Sequence, residues 1–517
     1  MRDPAPWQKR YDMMLGMAIL LGTIGQYLFV NRVPGISVPI FTLLLYIYFF
    51  YVTKGRRGGF DRWRGQSKTG WLLFVPIGLL ALSFAIFDNK LFRILNLGAL
   101  LILLVGQTML LTRGGSEPWY RLKFAGELLK QWLITPLAHL GAPFGILADW
   151  LRVGDEGSRT RGNLGKVGLG LLIAAPLLLV VIVLLASADG IFLSWLNRLP
   201  TWLEGGSVEN NFLRFLFAAC TAIYLFCYVW GLMFKRERRA SALTQEAAGM
   251  PASALQPAQP AGDGQTGQAG QTSTALDPIV AATALISVNI VYVLFAAIQF
   301  TYLFGAADGL LPEGTAYAEY ARRGFAELVF VALINICVLL VGLHFVQQGS
   351  QVLERLRKLL LTVLMGCTLV MLASAYSRMS LYEEAYGYTQ LRLLVHGFMI
   401  FLGILMVVAI ARIWYRWFYL AKIYVALGVA AYVIMNYINL DARIAFNNIE
   451  RYEATGQIDL YYLSTLSADA APALEKLERE HPELEGVAGL LEEMRRQADE
   501  RKHWQSWSLS LQKLRNG

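Results

Sequence analysis

The sequence predicts an all-α polytopic membrane protein, and three observations carry that expectation. Apolar residues make up 56% of the 517 and charged residues only 16%. The apolar residues fall in blocks of about 18 or more with almost no charge, long enough as helices to cross the hydrocarbon of a bilayer. None of the blocks shows the strict apolar–polar alternation of a barrel strand.

Taken in order, about eleven spans are expected by apolar length and polar flanks, over 13–30, 36–53, 70–87, 91–112, 167–189, 211–234, 278–304, 324–346, 357–377, 391–411 and 416–438. The first follows Arg2, Lys9 and Arg10 but has no small-residue cleavage site, so it reads as a retained helix and not a signal peptide. The turn Asp88-Asn89-Lys90 separates the third span from the fourth. With the N-terminus inside, lysine and arginine concentrate in the cytoplasmic connections, as the positive-inside rule requires. Eleven crossings then place the segment after the last span outside. The expected location is a bacterial cytoplasmic membrane.

The layout divides into transmembrane helices over 1–112, cytoplasmic amphipathic helices over 113–166, two further spans over 167–234, a linker over 235–277, five spans over 278–438 and an extracytoplasmic helical tail over 439–517. In the second of these, Trp119, Phe124, Leu128, Leu129, Trp132, Phe144 and Trp150 are interleaved with Arg121, Lys123 and Lys130, with breaks at Pro136 and Pro143. That pattern fits helices lying in the interface with anionic headgroups as partners, or a helical hairpin packed on protein; the two share one periodicity. From Ala240 to Asp277 the chain turns to Ala, Gln, Gly, Thr and Pro, too poor in apolar bulk to fold alone, and reads as a disordered linker open to a protein partner. In the tail, Ser467 or Asp469 is positioned to cap a helix with Pro472 in its first turn, and a second charged helix is expected from about Pro482 to Arg501.

The net charge of +9 is spread over many short connections and forms no basic domain for nucleic acid. Cys220, Cys227, Cys337 and Cys367 all lie inside apolar blocks, where cysteine behaves as a small hydrophobe. No phosphate-binding glycine loop, H-E-x-x-H, C-x-x-C or G-x-S-x-G is present, so neither a cofactor nor a metal is called for and no catalytic residue is assigned.

Polar residues in the last five spans are the candidates for function, because charge in a bilayer must be paired or face a cavity. Asn289 and Gln299 share a helix face, and the antiparallel eighth span sets Asn335 and Glu327 at matching depths. Arg323, Arg378 and Arg392 are expected near Glu327, and His396 lies one turn beyond Arg392. Tyr382, Glu383 and Tyr386 are expected in the loop above, and Asp441 follows the last span. Together they suggest an outward-facing polar pocket under the helical tail. For each residue the plain alternative is snorkelling, an aromatic belt or interhelical glue.

Four stretches carry a resemblance: Tyr320-Ala-Arg-Arg-Gly-Phe-Ala-Glu327, Ser377-Arg-Met-Ser-Leu-Tyr382-Glu-Glu-Ala-Tyr386-Gly-Tyr-Thr-Gln-Leu-Arg392, Asn439-Leu-Asp441-Ala-Arg-Ile-Ala-Phe-Asn447-Asn-Ile-Glu-Arg451 and Asp459-Leu-Tyr-Tyr462-Leu-Ser-Thr-Leu-Ser467-Ala-Asp469-Ala-Ala-Pro472. The chain resembles bacterial membrane proteins of the domain-of-unknown-function family DUF4173, with relatives in the DUF4153 group. The resemblance implies a multispanning protein without an assigned substrate, reaction or cofactor, and it implies that the outward motifs form one unit. A transporter, channel or export component is the first functional reading. A membrane sensor or envelope-assembly factor is the alternative, and an enzyme acting on lipid or envelope precursors the third.

Overall fold

The computed structural model describes residues 8–54, 68–112, 117–152, 208–248, 278–305, 325–344, 346, 349–415 and 417–516. Among these every regular element is helical. Eight helices are long and apolar enough to cross a membrane, and Ser37–Thr53 and Val329–Leu343 are shorter apolar helices. Ten of the eleven expected spans therefore have a helix; the remaining one, the fifth, at 167–189, lies outside the described residues.

The chain forms two compact units, residues Met1–Leu255 with Ala498–Gly517, and residues Gln256–Gln497. In the first, α1 (Gln8–Phe29), α2 (Ser37–Lys54), α3 (Lys68–Leu72), α4 (Phe74–Ile86) and α5 (Lys90–Thr112) pack with α9 (Val208–Ala248). Met14, Tyr48, Met109, Phe226 and Leu232 lie in their shared core. Gly22 lets α1 and α9 cross closely, since a Cβ there would collide with the Ala218 carbonyl. Helix α9 continues to Ala248, into the segment expected to be linker; its Ala, Leu, Gln and Glu content explains why. The rest of that linker lies outside the described residues.

Between α5 and α9 come α6 (Leu122–Leu129), a π turn (Lys130–Ile134), α7 (Thr135–Ala138) and α8 (Gly141–Arg152). Pro136 has no N–H for the Trp132 carbonyl, so the coil widens before it. The Tyr224 hydroxyl donates to that Trp132 carbonyl at 3.2 Å, and the Thr135 hydroxyl donates to the Lys130 carbonyl at 3.1 Å.

Residues 498–517 complete this first unit. The Ile36 N–H donates to the Trp507 carbonyl at 3.0 Å, Gln505 Nε2 to the Tyr27 carbonyl at 3.3 Å, and Ser510 Oγ to the Ile86 carbonyl at 3.0 Å. Gly35 is required beneath them, because a Cβ would sit 2.6 Å from the Trp507 oxygen. This strap therefore lies on the same side of the membrane as the α1–α2 and α4–α5 turns.

In the second unit α10 (Pro278–Gly305), α11 (Phe325–His344) and α13 (Gln390–Trp414) pack on α12 (Gln351–Tyr386), and α14 (Leu420–Tyr437) packs on α13. Helix α12 has 36 residues, about 54 Å of rise, against roughly 30 Å of hydrocarbon. It therefore runs well past the membrane. The smaller α15 (Leu440–Thr455), α16 (Leu460–Ser464), α17 (Ala471–Glu480) and α18 (Val487–Glu500) follow. Pro472 stands in the first turn of α17, as the sequence predicts, but neither Ser467 nor Asp469 caps that helix: Ala470 is its N-cap and makes no side-chain bond, while Ser467 caps the short 3₁₀ turn before it.

Candidate functional site

No glycine or proline interrupts α12 after Gly366, so the helix continues to Tyr386 and stops at Gly387, whose φ of 83° is open to glycine. A Cβ there would also lie 2.7 Å from Asn448 Oδ1. Tyr382, Glu383 and Tyr386 are thus in the last turns of α12 and not in a loop. Their charged and hydroxyl-bearing side chains resemble loop composition, yet nothing among them breaks a helix. Thr389 then caps α13, accepting the Arg392 N–H at 3.5 Å.

Across this tight helical hairpin Glu383 meets His396. Glu383 Oε2 and His396 Nδ1 are 3.0 Å apart, with the two side chains 3% and 10% exposed. His396 Nε2 faces the Tyr376 carbonyl at 3.4 Å and Ser380 Oγ at 3.5 Å, and the Tyr376 ring lies 4.4 Å from the imidazole, centroid to centroid. Tyr376, Ser380 and Glu383 share one helix face at i, i+4 and i+7. Each ring nitrogen of His396 thus has an oxygen within 3.5 Å, the Glu383 carboxyl on one side and the Tyr376 carbonyl and Ser380 hydroxyl on the other. The other Glu383 oxygen, Oε1, is buried and has no hydrogen-bond partner among the described residues.

The depth of the pair follows from α12. Trp414 Nε1 donates to Thr362 Oγ1 at 3.2 Å, and Trp414, Tyr415, Trp417 and Tyr419 are all exposed at the α13–α14 turn, as in an interfacial aromatic belt. From Thr362 to Glu383 is about 31 Å of helix, close to the roughly 30 Å of a hydrocarbon core. Glu383 and His396 thus lie near the boundary opposite the belt.

Arg392, one turn before His396, donates through Nη1 to the Gly387 carbonyl and lies over the Tyr382 ring at 4.3 Å; Tyr382 and Tyr386 are 4.9 Å apart. Behind them the following segment grips the hairpin. Asn448 accepts the Tyr388 N–H and donates to the Tyr388 carbonyl, both at 2.9 Å. Arg451 donates to the Glu384 carbonyl at 2.8 Å and the Ala385 carbonyl at 2.7 Å, satisfying the end of α12, where carbonyls have no helical partner. The Gln390 N–H donates to the Tyr462 hydroxyl at 2.7 Å, and burial pushes that phenol above its ordinary pKa. Gln390 Nε2 donates to Asp441 Oδ1 at 2.7 Å, while Ser467 donates to Asp441 Oδ2 through N–H at 3.1 Å and Oγ at 2.5 Å.

Of the sequence candidates, Tyr382, Tyr386, Arg392, His396 and Asp441 therefore gather around this hairpin, and Arg378 lies half-buried on the same stretch of α12. Asn289 and Asn335 do not join them. Asn289 Nδ2 donates to the Leu360 carbonyl at 3.0 Å and Asn335 Nδ2 to Thr368 Oγ1 at 2.8 Å. Both are interhelical bonds to α12, about 12 Å apart along it, so the two residues do not share a level. Arg323 and the side chains of Glu327 and Gln299 lie outside the described residues.

The first unit holds a charged cluster that sequence reasoning treated as a turn. Buried Asp88 accepts from Arg93 Nη2 at 2.7 Å and from Arg501 Nη1 at 3.0 and 3.1 Å. Only the strap brings Arg501 there. Among the described residues no three His, Cys, Asp or Glu side chains converge as metal ligands.

No curated protein and no solved structure matches the chain. Residues 74–477 match a family described as a domain of unknown function, the group expected as a neighbour of the resemblance. The matched span holds the α12–α13 hairpin and the segment that grips it, so this multispanning membrane protein belongs to the DUF4153 family.

Proposed function

We propose that the chain is a membrane transport or channel component whose charged centre is the Glu383–His396 pair. The single observation behind this is the unpartnered Glu383 Oε1, a buried carboxylate oxygen at the edge of the hydrocarbon. Buried acids in such places exchange protons or bind cationic groups. The outward-facing pocket of this reading has the pair at its base and Arg392, Tyr382 and exposed Tyr386 at its rim, with Glu327 and Arg323 from the first motif and Gln299 from α10 as further members. The segment after α14 lies outside the cell in this scheme, and the finer kinship is with DUF4173. Anionic lipid at α6–α7 and a protein partner at the linker or tail complete the expected contacts.

Proteoliposomes under imposed proton, sodium or potassium gradients test it. Protein-dependent flux is expected, abolished by Glu383→Gln and partly kept by Glu383→Asp. Folded protein that moves none of these ions, or flux unchanged in Glu383→Gln, overturns the proposal. An alkaline phosphatase fusion after Gly517 is expected to be active; a cytoplasmic reporter active there refutes the sidedness.

One feature favours sensing as a second reading. Asn448 and Arg451 hold the end of a single helix that crosses the membrane, so a ligand shifting α15 would move α12 as a rod. Cross-linking α15 to α12 should then silence any downstream response without blocking ion flux.

A further inference from the structure

The segment from α6 to α7 has two unlike faces. Toward the bundle, Phe124, Gln131 and Pro136 are buried, Leu128 reaches α5 at Gly106, and Thr135 packs so closely on Gly231 of α9 that a Cβ would not fit. Cys227 Sγ donates to the His139 carbonyl at 3.4 Å, fixing the far end. Away from the bundle, Leu122 is 90% exposed, and Leu129, Leu133, Ile134 and Leu137 continue the stripe, Leu137 at 65%. The packed-hairpin alternative accounts for the first face and leaves the second unexplained.

Helical periodicity adds a third feature. Lys123 and Lys130 are exposed and seven residues apart, so they align two turns from each other along one edge of the apolar stripe. Apolar side chains on one face, flanked by a row of cations, match a layered partner: acyl chains beside acidic phosphates. A protein partner would need no such flank, and water would not leave five large apolar residues exposed in a row.

We propose that α6, the π turn and α7 form an in-plane membrane element, with the leucine stripe in the acyl layer of one leaflet and Lys123 and Lys130 holding anionic headgroups. Its back packs on α5 and is hydrogen-bonded to α9, so the element reports the state of that leaflet directly to two spanning helices. This assignment rests on the lipid contact proposed above for α6–α7 and is independent of the ion flux, so the two fail separately.

The test uses the full chain with its four cysteines replaced and one new cysteine, Leu133→Cys, carrying a small fluorophore, reconstituted in phosphatidylcholine vesicles. Brominated phosphatidylcholine is expected to quench the label, whereas the same label at buried Gln131→Cys should be quenched far less. A minor fraction of brominated phosphatidylglycerol is expected to quench up to about thirtyfold more effectively per molecule, given two lysines at the surface. Lys123→Gln with Lys130→Gln should remove the preference, and the paired arginine variant should keep it, which separates charge loss from misfolding. No quenching at position 133 overturns the membrane placement; equal quenching by both lipids overturns the headgroup assignment.

Discussion

Replacing His396 should expose how strongly the hairpin depends on its ion pair. The Glu383 side chain is 3% exposed and faces the imidazole at 3.0 Å. His396→Leu would leave that carboxylate buried without a counter-charge, and breaking a buried pair in this way costs about 3–5 kcal/mol. Local opening of α12 from α13 should therefore become more frequent by roughly two to three and a half orders of magnitude. Glu383→Gln removes the other member of the same buried contact and should also loosen the hairpin. The double variant, having no charge to strand, should lose less than the sum, with a coupling energy of about 1–3 kcal/mol. Unfolding in mixed detergent micelles, followed by labelling of a cysteine introduced by Ala375→Cys at a buried position of α12, measures all four proteins. Additive single effects, within about 0.5 kcal/mol, would refute the pair as a coupled unit.

Three other outcomes follow from contacts on the same footing. Asp88→Asn should release the strap, raising trypsin cleavage after Arg501 or Lys502 about tenfold or more, since charge-assisted bonds contribute roughly 1.5–3 kcal/mol; an unchanged rate would show that other contacts hold it. Arg451→Lys keeps the charge but cannot fork to the Glu384 and Ala385 carbonyls, so thermal stability should drop by about 1–2 kcal/mol; a wild-type melting temperature would mean the carbonyls find other donors. Gly387→Ala meets both a positive φ and the Asn448 oxygen at 2.7 Å, and should destabilise the hairpin by roughly 1–3 kcal/mol. The readout is faster labelling of the introduced cysteine in the Ala375→Cys background, and an unchanged labelling rate would show that the turn relaxes without cost.

The spans were legible because apolar length against bilayer thickness is a one-dimensional property. What lay beyond the membrane was harder. Residues 378–386 look polar enough for a loop, and no local signal says that a helix continues when its tertiary partners, Asn448 and Arg451, are sixty residues away. Glu327 stands out in the sequence as an acid inside an apolar block, while Glu383 sits among residues of loop composition. A usable signal did exist: Gly387 with Thr389 as a following cap marks a hairpin, and residues set back from such a pivot by one to two turns on each side face one another. Consecutive antiparallel helices suggest that Asn289 and Asn335 match in depth, whereas both bond to the later α12 at different levels. The Asp88 cluster was out of reach, since its second arginine lies 413 residues further on.

That separation sets an order of events in the cell. A ribosome adding about 5–20 residues per second takes roughly 20–80 s to travel from Asp88 to Arg501. Throughout that interval the first four helices are already made, and the fifth follows at once, but they lack the segment that covers Gly35 and joins the charge cluster. A nascent chain stalled before Arg501 would present this uncovered end to proteases and chaperones, and one that has reached the strap would not. The helices made first thus wait for a late segment to cover them.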